Sequence, residues 1–128
     1  MASSNRGFET ALAAAELSTA SRTARKMGSA LYAGPRLLSV GYNRYHSHPD
    51  SNNIGFCRSL HCEHVALLRR QHFDKLSGHL TMYVARRLAD GSLGCSKPCD
   101  NCVELCRLAG VRRIRYVDEQ GERKEITL

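Results

Sequence analysis

Two short motifs constrain the fold of this chain most strongly, because together they hold the groups that bind and use a metal ion. The first motif is H-x-E, with His61 and Glu63, and the second is C-x-x-C, with Cys99 and Cys102. They supply one imidazole, one carboxylate and two thiols. We therefore expect a fold that brings these two distant parts of the chain to one place.

A catalytic zinc ion needs three protein ligands and a fourth position open to water. His61, Cys99 and Cys102 provide three such ligands. The C-x-x-C motif is predicted to begin a helix, whose N-terminal partial positive charge favours thiolates over thiols. Glu63 then lies beside the metal as a proton shuttle, because the metal lowers the pKa of its bound water to about 7. We predict one catalytic Zn²⁺ ion per chain.

A structural zinc site and a redox pair are the alternatives for the C-x-x-C motif. A redox pair is disfavoured, because the motif does not follow the first strand of a βαβ unit. A structural site would take its fourth ligand from Cys57, Cys62 or Cys95. Such a site gives no reason for Glu63 at a helix start, so the catalytic site is favoured and the structural site remains open.

Four further residues are candidate ligands of a second metal. His46 and His48 lie in the loop before the H-x-E motif, and Cys57 and Cys95 lie just before the two motifs. Buried thiols that bind nothing are the commoner outcome for such cysteines. The sequence leaves both interpretations open.

The order of predicted elements indicates an α/β protein with a mixed sheet flanked by helices. Helices are predicted at residues 8–26, 61–71 and 99–109, and strands at residues 29–33, 37–42, 80–85, 111–117 and 124–128. Gly34 and Pro35 predict a hairpin turn between the first two strands. The last two strands are joined by a segment too short for a parallel crossover, so they are predicted to form an antiparallel hairpin.

Length and composition favour one folded domain spanning residues 1–128. No apolar run is long enough to span a bilayer and no secretory segment is apparent, so we expect a cytoplasmic protein without a membrane partner. The six cysteines are then expected to be thiols or metal ligands rather than disulfides.

The charge of the chain favours partners that carry phosphate. Nineteen Lys and Arg residues against 12 Asp and Glu residues give a formal net charge of +7. Several arginines lie in two predicted strands, and they would form one basic edge near the pocket if those strands were neighbours. They are Arg86, Arg87, Arg112, Arg113 and Arg115.

The two motifs resemble the H-x-E and P-C-x-x-C signature of the cytidine deaminase superfamily, the zinc-dependent cytidine and deoxycytidylate deaminases. The resemblance extends over residues 41–43, 80–85 and 109–111, and so over most of the chain after the first helix. It implies a three-layer α/β/α fold with a mixed five-stranded sheet. It also implies that His61, Cys99 and Cys102 bind zinc, that Glu63 moves protons, and that Asn43 binds the sugar or base of the substrate.

The residues near the implied pocket depart from the family pattern in ways that bear on the substrate. Cys62 replaces the alanine that is common in the H-x-E motif. Free cytidine deaminases carry a glutamate two residues after the asparagine that matches Asn43. Here Tyr45 stands at that position, and Arg44 precedes it. Arg44 would attract a phosphate group. Tyr45 and Phe56 are the aromatic candidates for packing against the base.

We therefore predict a hydrolase that converts a cytosine moiety to uracil, in a cytidine or deoxycytidine nucleoside or nucleotide. One alternative is a deaminase of cytosine in single-stranded DNA or RNA, which the net charge supports. A second alternative is a zinc-stabilised binding module without activity. The resemblance also implies a homo-oligomer.

Overall fold

The computed structural model of the protein describes residues 2–16, 26–42, 44–45, 59–60, 66, 79–88 and 92–128. Its helices are α1 (Ala2–Ala15) and α2 (Asp100–Leu108). Its strands are β1 (Lys26–Ala33), β2 (Arg36–Tyr42), β3 (Arg44–Tyr45), β4 (Ser59–Leu60), β5 (Leu80–Arg87), β6 (Leu93–Gly94), β7 (Val111–Val117) and β8 (Arg123–Thr127). Neither of these helices has the length and apolar character needed to cross a membrane.

The main sheet has five strands in the order β2-β1-β5-β7-β8, and β6 adds a sixth strand by pairing with the end of β5. The β5–β7 pair is parallel, whereas the β1–β2, β1–β5, β5–β6 and β7–β8 pairs are antiparallel. The predicted mixed sheet and its C-terminal hairpin are therefore confirmed. The prediction lacked β6, because two residues are too few to show an alternating pattern.

The sheet is covered on both faces, as the predicted three-layer fold requires. Alternate residues of a strand point to opposite faces. Tyr83 and Ala85 of β5 accordingly pack with Phe8 of α1 on one face. Met82 of β5 packs with Cys106 of α2 on the other face. The predicted α/β/α layering is confirmed, and it places α1 and α2 on opposite sides.

The first helix ends earlier than its composition predicts. Residues 8–26 were expected to be helical because they are rich in Ala, Leu, Glu and Arg. The helix instead spans Ala2–Ala15, and Lys26 begins β1, where it pairs with Arg87 of β5. The predicted end is wrong, because long-range strand pairing overrides a local helix preference.

Glycines end two elements where the sequence predicts them to. Gly34 has a φ of 58° in the turn between β1 and β2. Gly110 has a φ of 92° directly after Ala109, which caps α2. Both values lie in the left-handed region that glycine adopts without steric cost. The predicted hairpin turn and the predicted stop of the last helix are confirmed.

Gly28 allows α1 to lie directly against β1. A Cβ atom at position 28 would lie 2.0 Å from the carbonyl oxygen of Ala11 and 2.4 Å from the amide nitrogen of Ala15. Both are backbone atoms, so neither can rotate away. We expect Gly28→Ala to lower the free energy of unfolding by about 3 kcal/mol, as measured by urea denaturation.

The control for this prediction is Gly34→Ala. No atom outside its neighbours lies within 4 Å of a Cβ at position 34, so this substitution costs only the left-handed conformation, about 1 kcal/mol. Equal losses for the two variants would contradict the close approach of α1 to β1.

Candidate metal and active site

The C-x-x-C motif forms the N-terminus of α2. Cys99 is the N-cap residue in an extended conformation, with a φ of −75° and a ψ of 164°, and its carbonyl accepts from the amide of Val103 at 3.0 Å. Cys102 lies in the first turn of the helix. Cys99 is exposed, whereas Cys102 is only 2% exposed. The predicted position of both cysteines at a helix start is confirmed, and their role as metal ligands stays a prediction.

The chemistry of this pair fits a zinc ion. Thiolates are ligands that zinc prefers, and a helix N-terminus stabilises them through its partial positive charge. The cysteines that the structure describes, including Cys99 and Cys102, form no disulfide. Within the described ranges, which omit residues 61–65, no group of three or more His, Cys, Asp and Glu residues is placed to hold a metal.

The far end of α2 carries an exposed ion pair. The guanidinium of Arg107 donates to the carboxylate of Glu104 one turn earlier. This hydrogen bond lowers the pKa of Glu104 below its usual value. The pair occupies the solvent side of the helix, because both side chains are exposed.

A small two-stranded sheet joins the segment before the H-x-E motif to the segment after β2. Arg44 of β3 pairs with Leu60 of β4, and Tyr45 pairs with Ser59. Leu60 directly precedes His61 in the sequence. The backbone at Arg44 is therefore paired with the residue that directly precedes the first predicted metal ligand.

Several predicted site residues lie outside the described residues, and their roles stay predictions. They are Glu63, His61, Asn43, Cys62 and Phe56, together with the second-metal candidates His46, His48 and Cys57. For Arg44 and Tyr45 the structure gives the backbone pairing in β3.

Ala66, three residues after Glu63, lies in the same layer as α2. Ala66 is helical and fully buried, in one cluster with Cys106 of α2 and Ile114 of β7. Its carbonyl accepts from the hydroxyl of Ser39 in β2 at 2.8 Å. Ala66 is helical and buried as predicted, on the same face of the sheet as α2, and the rest of the helix predicted at residues 61–71 lies outside the described residues.

The strand arginines do not form one basic edge. β5 and β7 are neighbours, but Arg113 pairs with Thr81 near the start of β5, whereas Arg86 and Arg87 are its last two residues. Five residues of strand, about 16 Å, separate Arg113 from the level of Arg86. The predicted common edge is wrong, because Arg113 lies near the start of β7 whereas Arg86 and Arg87 lie at the end of the parallel strand β5.

Two of these arginines also form ion pairs with carboxylates. Arg115 donates to Glu125 at 2.9 Å across the β7–β8 pair, and its guanidinium lies over the ring of Tyr83. Arg87 forms an ion pair with Glu16, which directly follows α1. Their charge is therefore partly neutralised within the protein.

Ser96 is a buried polar residue that sequence reasoning missed. Its hydroxyl donates to the carbonyl of Val84 at 2.8 Å and accepts from the amide of Val117 at 2.9 Å. A lone serine between Cys95 and Lys97 carries no periodic or motif signal. Only its position three residues before Cys99 links it to the second motif.

Comparison with models of protein families shows to which family the chain belongs. Residues 1–118 match the model of the family described as the cytidine and deoxycytidylate deaminase zinc-binding region. The chain belongs to this family. Comparison with curated proteins by sequence gives no match.

Solved structures of deaminases share the fold of this family member. A cytidine deaminase from Burkholderia pseudomallei superposes with a TM-score of 0.65 and 17% identity, over 96% of this chain and 91% of that chain. The dCMP deaminase from cyanophage S-TIM5 gives a TM-score of 0.60 and 22% identity, over 90% and 82% of the two chains. A cytidine deaminase from Mycobacterium leprae gives a TM-score of 0.61 and 19% identity, over 94% and 91%. These likenesses show the cytidine deaminase-like fold.

Proposed function

We propose that this family member is a zinc-dependent hydrolase that converts a cytosine moiety of a nucleoside or nucleotide to uracil and releases ammonia. The observation that carries the proposal is the C-x-x-C motif at the N-terminus of α2. It lies in a chain whose family is defined by the zinc-binding region of cytidine and deoxycytidylate deaminases.

His61, Cys99 and Cys102 would hold one zinc ion per chain, and that ion supplies the activation of the hydrolytic water. Of these ligands, Cys102 is buried, whereas Cys99 is exposed to solvent. Glu63 would accept one proton of the water and deliver it to the N3 atom of the ring as the hydroxide adds to C4. It would then move the proton of the C4 hydroxyl to the amino group, so that the C4–N bond breaks, ammonia leaves and the C4 carbonyl of uracil forms.

The β3–β4 pairing supports the roles proposed for the substrate-binding residues. It holds Arg44 opposite Leu60. Asn43 directly precedes Arg44 and His61 directly follows Leu60, so both residues adjoin the same strand pair. In this arrangement the Asn43 amide binds the sugar or base beside the metal.

Further contacts are assigned to the base and the phosphate. Cys62 contributes to the floor of the pocket, and Tyr45 and Phe56 pack against the base. Arg44 binds the phosphate of a nucleotide. The dCMP deaminase of cyanophage S-TIM5, which has the same fold, has been solved in complex with dCMP and dUMP.

A panel of four substrates tests the proposal. Cytidine, deoxycytidine, dCMP and a single-stranded oligonucleotide are incubated with the protein, and uracil products are separated by chromatography. We expect turnover of at least one of the three small molecules. Turnover of the oligonucleotide alone would replace the proposal with a polynucleotide deaminase. No ammonia from any of these four, or from adenosine and guanine assayed beside them, would replace it with a zinc-stabilised binding module.

The role of Arg44 predicts a difference between nucleotide and nucleoside. Because a hydrogen bond to a charged group contributes about 1.5–3 kcal/mol, we expect Arg44→Ala to raise KM for dCMP at least about tenfold. KM for deoxycytidine, which has no phosphate, should stay within about twofold of the wild-type value. Steady-state kinetics with both substrates provides the measurement.

Arg36→Ala is the matched control, because Arg36 is an exposed arginine at the start of the edge strand β2. It should change neither value of KM. If Arg44→Ala weakens both substrates equally, Arg44 does not bind the phosphate.

A further inference from the structure

Ser96 connects three segments of the protein through hydrogen bonds at a fully buried position. Its hydroxyl donates to the carbonyl oxygen of Val84 in β5 and accepts from the amide of Val117 in β7, at 2.8 and 2.9 Å. Its own amide donates to the carbonyl of Val117 at 2.8 Å. One residue is thereby joined to the middle of β5 and to the last residue of β7.

The position of Ser96 explains why a hydroxyl is needed there. The parallel pairing of β5 with β7 is recorded up to Tyr83 opposite Arg115, and beyond it β5 pairs with β6 instead. Val84 and Val117 lie past the last pair of this ladder. The Ser96 hydroxyl binds the carbonyl of one and the amide of the other, so it bridges the two strands where they separate. An alanine would leave both buried groups without this partner.

The chain from Ser96 leads directly to the thiolate half of the candidate metal site. Pro98 is buried two residues later, and Cys99 follows as the N-cap of α2. A three-residue path from a fixed point leaves the N-cap little freedom to move. We propose that Ser96 is a positioning residue for the metal site. Its hydrogen bonds fix the chain that leads into α2, and they thereby fix the positions of the Cys99 and Cys102 sulfurs.

This inference rests on the proposed zinc site, and it is tested first by metal release. Zinc-loaded wild-type protein and Ser96→Ala are mixed with a chromogenic chelator, and the rate of zinc transfer is followed. Loss of an outer partner of a metal site typically weakens metal binding 10–100-fold. We expect Ser96→Ala to release zinc at least about tenfold faster than the wild type.

Two further readouts separate positioning from general stability. The Co²⁺-substituted variant should show shifted or weakened sulfur-to-cobalt charge-transfer bands, and kcat for dCMP should fall while KM stays near the wild-type value. Ile114→Val is the control, because Ile114 is fully buried in β7 and trimming it loosens the same sheet while the Ser96 hydroxyl and its two partners stay unchanged. This control should keep the wild-type rate of zinc release and the wild-type cobalt spectrum.

Wild-type zinc release and an unchanged cobalt spectrum in Ser96→Ala would overturn the inference. Where Ser96→Ala does not fold, Ser96→Thr and Ser96→Val form a pair of similar size that differs in the hydroxyl. The threonine variant should then retain zinc longer than the valine variant, and equal release would overturn the inference.

The same experiment separates failure of the inference from failure of the proposed function. A wild-type protein that binds zinc but deaminates nothing rejects the proposed function, while zinc release from the Ser96 variants still decides the positioning role. A wild-type protein that binds no zinc rejects both.

Discussion

Replacing Glu63 with glutamine is expected to lower kcat for the cytosine substrate by about 10²–10⁴-fold, the usual contribution of a general acid–base group. Glutamine keeps the size of the side chain but cannot accept or release the proton that the water, the ring nitrogen and the leaving amine exchange. Because Glu63 is not a proposed ligand, the variant should contain as much zinc as the wild type. Steady-state kinetics and metal analysis of the same sample provide the two measurements.

Glu104→Gln is the control for this result, because Glu104 is an exposed carboxylate on the solvent side of α2. It should leave kcat and zinc content unchanged. Wild-type turnover by Glu63→Gln would show that another group moves the protons. Loss of zinc from Glu63→Gln would make Glu63 a ligand instead.

Cys99→Ala is expected to lose both bound zinc and activity. Cys99 is the better of the two cysteines to change, because it is exposed and its removal leaves no cavity, whereas Cys102 is buried. Metal that binds only the folded state stabilises it by mass action. A chelator should therefore lower the Tm of the wild type and leave the Tm of Cys99→Ala unchanged.

Cys95→Ala provides a matched thiol control. Cys95 is partly buried four residues before Cys99 and outside the C-x-x-C motif. The variant should retain zinc, the chelator-dependent Tm and activity. If Cys99→Ala keeps its zinc while Cys95→Ala loses it, the ligand set proposed here is wrong.

Much of the fold was predictable because its signals are local or depend on short connections. The β1–β2 hairpin follows from Gly34 and Pro35, and the last hairpin follows from a connection too short for a crossover. The start of β1 was not predictable, because Lys26 is placed by its pairing with Arg87, more than 60 residues away in the sequence. Residues with a helical preference yield to such pairing when the two strands bury a common core.

The helix position of the two proposed metal ligands was predictable, because motif spacing and helix starts can be recognised in the sequence. Cys99 and Cys102 lie at the N-terminus of α2, as the motif indicates. The arginine edge was not predictable, because whether Arg86 and Arg113 meet depends on the register of β5 against β7. The hydrogen bonding of Ser96 was not predictable for the same reason, since its partners Val84 and Val117 come together only in the folded sheet.

The measurement that tests the central claim most directly is deamination as a function of bound zinc. Protein stripped with a chelator is reloaded with increasing zinc, and uracil product and ammonia are measured with the small cytosine substrate that the panel identifies. We predict that activity rises in proportion to bound zinc and stops rising at one ion per chain. Full activity in the stripped protein, or no activity in the chain that carries one zinc ion, would contradict a zinc-dependent cytosine deaminase.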